Sequence, residues 1–132
     1  MKKLLFLLLT IPLFLACSND NNNNDGKGYL TNLSNAKEGI IGVWKTTVGG
    51  IYYYNYGVNG IRCAGFSPEQ ANDECAKYDI LMQNNKYILR GYDIGDLQGT
   101  GEPIDRTLKV LNQDELIYIN SNDNEVRFTR VK

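Results

Sequence analysis

Hydrophobic and polar positions follow three successive patterns along this chain. Residues 4–15 form an almost unbroken apolar run after the basic start Met-Lys-Lys, and residues 18–28 contain no apolar side chain. From residue 40 onward, short runs rich in Tyr, Ile, Val and Thr alternate with Asn, Gly and Asp, while helical periodicity is nearly absent. We therefore expect a leader, a polar linker and a single all-β domain.

The alternating runs predict the strands of that domain and the turns between them. Asn84-Asn85 predicts a two-residue hairpin turn, residues 112–114 and 121–124 predict two further turns, and residues 94–103 predict a long loop. Antiparallel neighbours joined by short turns form a meander, and closure of a meander hides its edges. We expect a small antiparallel up-and-down barrel, closed or partly open, of six to eight strands. The runs that predict strands are residues 40–48, 51–56, 77–83, 86–93, 106–111, 115–120 and 125–131.

One short helix is expected in the stretch SPEQANDEC. Ser67 suits an N-cap, Pro68 suits the first helical position, and Gln70 completes a capping box. One or two helical turns between Pro68 and Ala76 would carry Cys75 back toward the first half of the sheet.

Residues 1–16 have the features of a signal peptide, namely a basic start, a short apolar core and a small residue before the cleavage point. The apolar run is shorter than the roughly 20 residues that span a bilayer, and Pro12 interrupts it. We therefore exclude residues 1–16 from the mature protein. Residues 17–38 are expected to be a disordered tether, because the polar run cannot bury apolar area, and residues 39–132 are expected to form the barrel domain.

The residues Phe14-Leu15-Ala16-Cys17 resemble the lipobox of bacterial lipoproteins. The resemblance implies that Cys17 receives a diacylglyceryl group and becomes the acylated first residue of the mature protein. Two or more acyl chains hold a protein stably at a membrane. Ser18, in place of Asp after the cysteine, implies the outer membrane, with the protein facing the periplasm or the cell surface. The other interpretation is a secreted protein with an unmodified Cys17.

Charge and cysteine content narrow the function classes. Removing Lys2 and Lys3 with the leader leaves 12 of the 14 basic residues against 15 acidic ones, a net charge near −3. Nucleic-acid binding needs a large basic face, so we expect no nucleic-acid partner.

Cys63 and Cys75 remain as a pair that would form a disulfide bond in an oxidising compartment. Two free thiols or a metal pair are the alternatives, although the chain has no histidine and the spacing is not CxxC.

Candidate chemistry is sparse. A Ser–His–Asp or Cys–His arrangement is impossible without histidine. Paired carboxylates can act as acid and base, and carboxylate oxygens can also bind calcium. The alternative is that these acids are turn formers on a solvated loop, and on that basis we expect no catalysis, no metal and no cofactor. The carboxylates that cluster around the long loop are Asp93, Asp96, Glu102 and Asp105.

The tyrosine run IYYYNY is the main candidate for binding. In a strand, Tyr52, Tyr54 and Tyr56 share one face. Such a row can stack on a sugar or contact a protein while each hydroxyl stays in water, and Tyr87 and Tyr92 would extend the surface. The competing interpretation is that one tyrosine set lines the core.

The stretch IIGVWKTT is similar to the Gly-x-Trp motif that opens the first strand of lipocalins, with Gly42 and Trp44 at the matching positions. The order of YDILMQNNKYIL, LKVLNQDELIYI and VRFTRVK resembles that of small lipocalin-like lipoproteins of Bacteroidota. The family implies an up-and-down barrel with Trp44 at a closed end and an arginine of the last strand, Arg130 or Arg127, across the indole. It also implies a small apolar ligand inside the barrel. The alternative is an envelope interaction module that presents surface tyrosines to a glycan or protein, perhaps as an inhibitor, around an interior filled by side chains.

Overall fold

The computed structural model describes residues 28–132, which form eight strands and one helix. The expected signal peptide, Cys17 and the first part of the expected tether lie outside the described residues. The elements are α1 Leu33–Gly39, β1 Gly42–Thr46, β2 Tyr52–Tyr56, β3 Ile61–Gly65, β4 Glu74–Gln83, β5 Lys86–Gly91, β6 Ile104–Leu111, β7 Glu115–Ile119 and β8 Glu125–Arg130.

The eight strands form a closed barrel in which each strand pairs antiparallel with its neighbours in the sequence. The last strand returns to the first, with Trp44 opposite Arg130 and Thr46 opposite Phe128. Closure leaves no unpaired sheet edge, which is the physical reason that a meander of this length does not remain flat. The predicted all-β up-and-down barrel is therefore confirmed in its closed, eight-stranded form.

The hairpin predicted at Asn84-Asn85 is present between β4 and β5. Asn84 has φ of 50° and Asn85 has φ of 58°, so both occupy the left-handed region that a tight hairpin turn requires. Asn tolerates this region better than most residues with a side chain. The long loop over residues 94–103 is also present, between β5 and β6.

The helix predicted between Pro68 and Ala76 is wrong. The backbone N–H of Gln70 does donate to the hydroxyl of Ser67 at 3.2 Å, as a helix cap would, but the chain forms only turns before β4 begins at Glu74. Strand pairing competes with helix formation here, because Glu74 and Cys75 form backbone pairs with β3 and cannot also belong to a helix. The strand β3 has no predicted counterpart, since its run IRCAG is short and contains small residues.

The single helix of the described chain lies instead at Leu33–Gly39, inside the expected tether. The side chain of Asn32 caps it by accepting from the backbone N–H of Asn35. Ala36 and Ile40 are fully buried in the barrel core. The predicted domain boundary at residue 39 is therefore corrected, because folded structure that packs on the barrel already begins at the first described residues.

The two ends of the barrel differ. The end near α1 is closed by apolar side chains from several elements, including Ile40, Trp44, Leu111 and Leu116, each with no exposed surface. The backbone N–H of Tyr29 donates to the carbonyl of Leu111 at 2.7 Å, so the N-terminal segment is fixed at this closed end. We call the opposite end the open end; its loops are residues 47–51, 66–73, 92–103 and 120–124.

Candidate binding site inside the barrel

Trp44 and Arg130 form the centre of the closed end. Trp44 is fully buried, and its indole N–H donates to the carbonyl of Ile40 at 2.8 Å. The guanidinium carbon of Arg130 lies 4.1 Å from the ring centroid of Trp44. Arg130 also donates to the carbonyls of Gly39, Ile41 and Gln113 at 2.6 to 2.7 Å. Burial lowers the pKa of Arg130, yet these carbonyl acceptors and the ring face all favour its charged form.

Gly42 and Arg127, the other two motif residues, have different surroundings. Gly42 has φ of 130°, and a Cβ added there would lie 2.7 Å from a guanidinium nitrogen of Arg130. Any larger residue would therefore be strained and would displace the arginine. Arg127 lies on the outer face, where it pairs with Glu115. The structure thus places Arg130, and not Arg127, across the indole.

The tyrosine face predicted from IYYYNY points into the barrel. Tyr52, Tyr54 and Tyr56 pair in register with Thr46, Trp44 and Gly42. Tyr56 is only 3% exposed, and the ring of Tyr54 meets that of Phe128 edge-on with centroids 5.5 Å apart. These residues therefore do not form the exposed row that a surface glycan site needs.

The remaining tyrosines that the sequence singled out do not extend a shared outer surface. Tyr87 packs against the core cluster from β5. Tyr92 is half-buried where the long loop begins, beside Gly99. The tyrosine-presenting surface is therefore not supported by the geometry.

Two inward-facing arginines complete the interior and were missed by the sequence reasoning. Arg62 of β3 pairs in register with Tyr56, and Arg106 of β6 pairs with Leu89, so both side chains share the inner face. Arg62 lies 5.1 Å from the ring centroid of Tyr54, and Arg106 lies 5.4 Å from that of Tyr118. In the sequence, each arginine is recognisable only as lying two residues from an apolar residue that faces inward. The sequence does not show which residues face inward until the register of the strands is known.

The charges of these arginines are not neutralised by the described chain. Within residues 28–132, neither Arg62 nor Arg106 forms an ion pair. The Nε atom of Arg62 is buried and has no hydrogen-bond partner there. A buried donor without an acceptor is unfavourable by about 1 to 3 kcal/mol, and by more when the group is charged. Such a group is a candidate for contact with something that the chain itself does not supply.

The tyrosines around the arginines are hydrogen-bond donors at neutral pH. Burial raises the pKa of Tyr56 far above its ordinary value, and the charges of Arg62 and Arg106 only partly oppose this effect. Burial likewise raises the pKa of Tyr118, against the same two arginines. The rings of Tyr54 and Tyr118 both contact that of Phe128, with centroids 5.5 and 5.4 Å away, so the arginines beside these two tyrosines approach the same part of the interior. We call Arg62, Arg106, Tyr54, Tyr56 and Tyr118 the arginine–tyrosine cluster.

Solvent reaches part of this cluster. Arg62, Arg106 and Tyr54 are partly exposed although they point inward. Phe66, in the loop that follows β3, is 69% exposed and lies 5.1 Å from Tyr52, centroid to centroid. Exposed apolar side chains occur in three loops at this end and form what we call the apolar rim: Val48, Ile51, Phe66, Ile94 and Leu97.

The acidic loop has structural roles. The carboxylate of Asp96 accepts from the backbone N–H groups of Gly99, Thr100 and Gly101, and these bonds lower its pKa. Asp105 forms two hydrogen bonds of 2.7 Å with Arg90, which lower the pKa of Asp105. Within residues 28–132, no three potential metal ligands come together. Asp96 thus stabilises the turn of the long loop, and Asp105 forms an ion pair with Arg90.

Clefts of about 220 to 650 Å³ occur on the molecule, but they are lined mainly by turns, by the N-terminal segment and by strand ends. None of these clefts is lined by a residue of the arginine–tyrosine cluster.

Comparisons of the chain with protein-family models, with curated proteins and with solved structures find no match. Among the described residues, no helix combines the length and the apolar character needed to cross a bilayer. A functional interpretation therefore starts from the side chains themselves.

Proposed function

We propose that this protein is a lipid-anchored component of the cell envelope whose lipocalin-like barrel binds a small ligand through its open end, without catalysing a reaction. The observation that carries the proposal is the arginine–tyrosine cluster, with two unpaired arginines on the inner face of the barrel. Within residues 28–132 the buried Nε atom of Arg62 has no acceptor, which is unfavourable by about 1 to 3 kcal/mol, and by more for a charged group. A ligand would supply such an acceptor.

The position of the N-terminal segment supports access to the open end. Tyr29 is bonded at the closed end, so the linker from Cys17 approaches the barrel there. Gly28 lies eleven positions after Cys17, and an extended chain of that length reaches about 40 Å at most. With acyl chains on Cys17, the open end can point away from the membrane and receive a ligand.

The absence of catalysis is proposed on two grounds. The chain has no histidine, and Asp96 and Asp105 are occupied by loop and ion-pair contacts. General acid–base catalysis by two carboxyl groups needs environments that give them different pKa values, one of them raised toward neutral pH. In Asp96 and Asp105 the surroundings instead lower both pKa values.

A second candidate function is an interaction module, favoured by the apolar rim. Exposed apolar groups at one end of a small protein indicate contact with a partner. In this alternative, Phe66 and its neighbours would bury against an envelope protein. Crosslinking in intact cells distinguishes the two, because a partner adduct that Phe66→Ser abolishes would favour the module over the ligand carrier.

Ligand binding is tested with the neutral fluorescent probe N-phenylnaphthylamine and the Cys17→Ser protein, which lacks the anchor. We expect saturable fluorescence enhancement that Phe66→Ser weakens. Val58→Ser is the matched control, because Val58 is 85% exposed but lies in the turn between β2 and β3 at the closed end. Equal loss of binding in both variants, or no enhancement with the parent protein, contradicts the proposal.

Anchoring is tested in the native host by cell fractionation. We expect the protein to fractionate with the envelope and the Cys17→Ser variant to be released, since a membrane attachment through acyl chains is lost with the thiol. Retention of the variant in the envelope fraction contradicts lipidation at Cys17.

A further inference from the structure

We infer that the ligand carries an oxyanion, such as a carboxylate or phosphate, which Arg62 and Arg106 hold between them, and an apolar body that contacts the apolar rim. This inference rests on the proposed binding function and names the chemical class of its ligand.

The first step is the placement of the two guanidinium groups. They come from β3 and β6, which are not neighbours in the barrel, yet both lie on its inner face by register. Each stacks on a tyrosine ring that contacts Phe128, so the two groups approach the same part of the interior. Two cations that converge on one interior volume repel each other, and the repulsion grows as the effective dielectric constant falls. An anion bound between them would remove that repulsion and accept hydrogen bonds from both.

The second step is that the chain does not provide this anion within residues 28–132. Asp105 is adjacent to Arg106 in sequence, but its two oxygens bind Arg90 at 2.7 Å. Glu74 shares the inner face by register, two residues nearer the open end than the partner of Arg62, and it is exposed without an ion pair. The Nε atom of Arg62 consequently has no acceptor.

The third step concerns the type of group that fits. Guanidinium N–H groups donate and never accept, and the neighbouring tyrosine hydroxyls remain protonated donors. Such a donor-rich set matches the several lone pairs of an oxyanion, and arginine forks suit planar carboxylates and phosphates. A neutral apolar ligand would leave the Nε donor of Arg62 unsatisfied.

The fourth step concerns the rest of the ligand. On the inner face of β2, Tyr52 follows Tyr54 toward the open end, and its ring contacts that of Phe66 in the apolar rim, so the cluster and the rim are connected through these rings. The rim side chains Phe66, Ile94 and Val48 are 56 to 69% exposed and would be covered by an apolar body. An amphiphilic anion therefore satisfies both regions of the site.

The experiment measures displacement of N-phenylnaphthylamine by dodecanoate, dodecyl phosphate and dodecanol, each below its micellar concentration. We expect dodecanoate or dodecyl phosphate to compete at least about tenfold more tightly than dodecanol. Whichever acid competes better identifies the preferred oxyanion. Arg62→Gln and Arg106→Gln should each weaken the acids at least about tenfold and leave dodecanol unchanged, while Arg127→Gln on the outer face should leave all three unchanged.

A melting-temperature measurement provides a second readout, because a ligand that binds the folded state raises its stability. At equal concentration the acids should raise the melting temperature of the parent protein more than dodecanol does, a result that does not depend on the folding of any variant. If dodecanol competes as well as the acids and the Gln variants behave like the parent, the arginines serve only to stack on tyrosine rings. That outcome overturns this inference while the proposed binding function stands. If neither the probe nor any of the three dodecyl compounds binds, both this inference and the proposed binding function are overturned.

Discussion

The guanidinium of Arg130 lies 4.1 Å from the ring centroid of Trp44, and the two residues face each other in register where β8 meets β1. Their contact therefore sits on the seam at which the barrel closes. Through its carbonyl contacts, Arg130 also joins the end of α1, the entry to β1 and the turn before β7. One side chain of β8 thus holds the segment between α1 and β1 and the turn before β7.

Replacement of Arg130 by lysine should lower the free energy of unfolding by about 2 kcal/mol, because hydrogen bonds from charged groups contribute about 1.5 to 3 kcal/mol and lysine lacks the planar fork. Urea unfolding followed by circular dichroism measures the change. Arg127→Lys is the control, since this exposed residue should change stability by less than about 0.5 kcal/mol. Equal losses in the two variants would contradict a special role for Arg130.

Replacement of Trp44 by alanine should lower the free energy of unfolding by about 3 to 5 kcal/mol, as for other large core residues. Trp44 is fully buried and donates to the carbonyl of Ile40, which alanine would leave unpaired. Because this is the chain's single tryptophan, circular dichroism and not tryptophan fluorescence should follow the transition. A melting temperature that hardly moves would show that the closed end does not depend on this ring.

The disulfide predicted between Cys63 and Cys75 is confirmed, and it joins two residues that face each other across β3 and β4. We expect the double variant Cys63→Ser, Cys75→Ser to lose about 3 kcal/mol of stability, the value for a loop of this length in the chain-entropy model. Intact mass spectrometry provides the direct check on the protein. The non-reduced chain should be lighter than the reduced chain by two hydrogens, and identical masses would rule out the bond.

Alkaline pH should destabilise the barrel through Tyr78. Burial raises the pKa of Tyr78 to about 12 from its ordinary value near 10, and its hydroxyl donates to the carbonyl of Gly57 at 2.7 Å. Since the folded-state pKa lies above the unfolded one, this stabilisation is complete below pH 10 and is lost as pH rises toward 12. Stability should therefore fall less steeply across this window in Tyr78→Phe than in the parent. Denaturant unfolding at several pH values measures the two slopes, and parallel slopes would contradict the assignment.

Part of the fold follows from local sequence alone. Alternation over runs such as residues 106–111 and 115–120 indicates strands because successive side chains point to opposite faces, and Asn84-Asn85 indicates a turn because asparagine tolerates positive φ. The pairing of Cys63 with Cys75 was accessible from cysteine number and the expected compartment. These signals involve residues close together in the chain, or a choice among very few partners.

Other features depended on contacts between distant segments. The capping pattern at Ser67 did not become a helix because ladder pairing with β3 took the following residues. The segment Leu33–Gly39 has little periodicity to identify it, and it folds because the barrel supplies the surface that Ala36 buries against. At Ser67, strand pairing therefore outweighed the local helix preference. At Leu33–Gly39, tertiary packing stabilised a helix that the local sequence only weakly favours.

The sequence by itself determined that the domain is a small antiparallel barrel, because strand alternation and turn chemistry are local properties. Only the tertiary structure decided which face of each strand lies inside, since a shift of one residue in register exchanges the two faces. That choice turned Tyr54 and Tyr56 from an exposed row into lining residues. It also brought Arg62 and Arg106, 44 positions apart in the chain, into one interior.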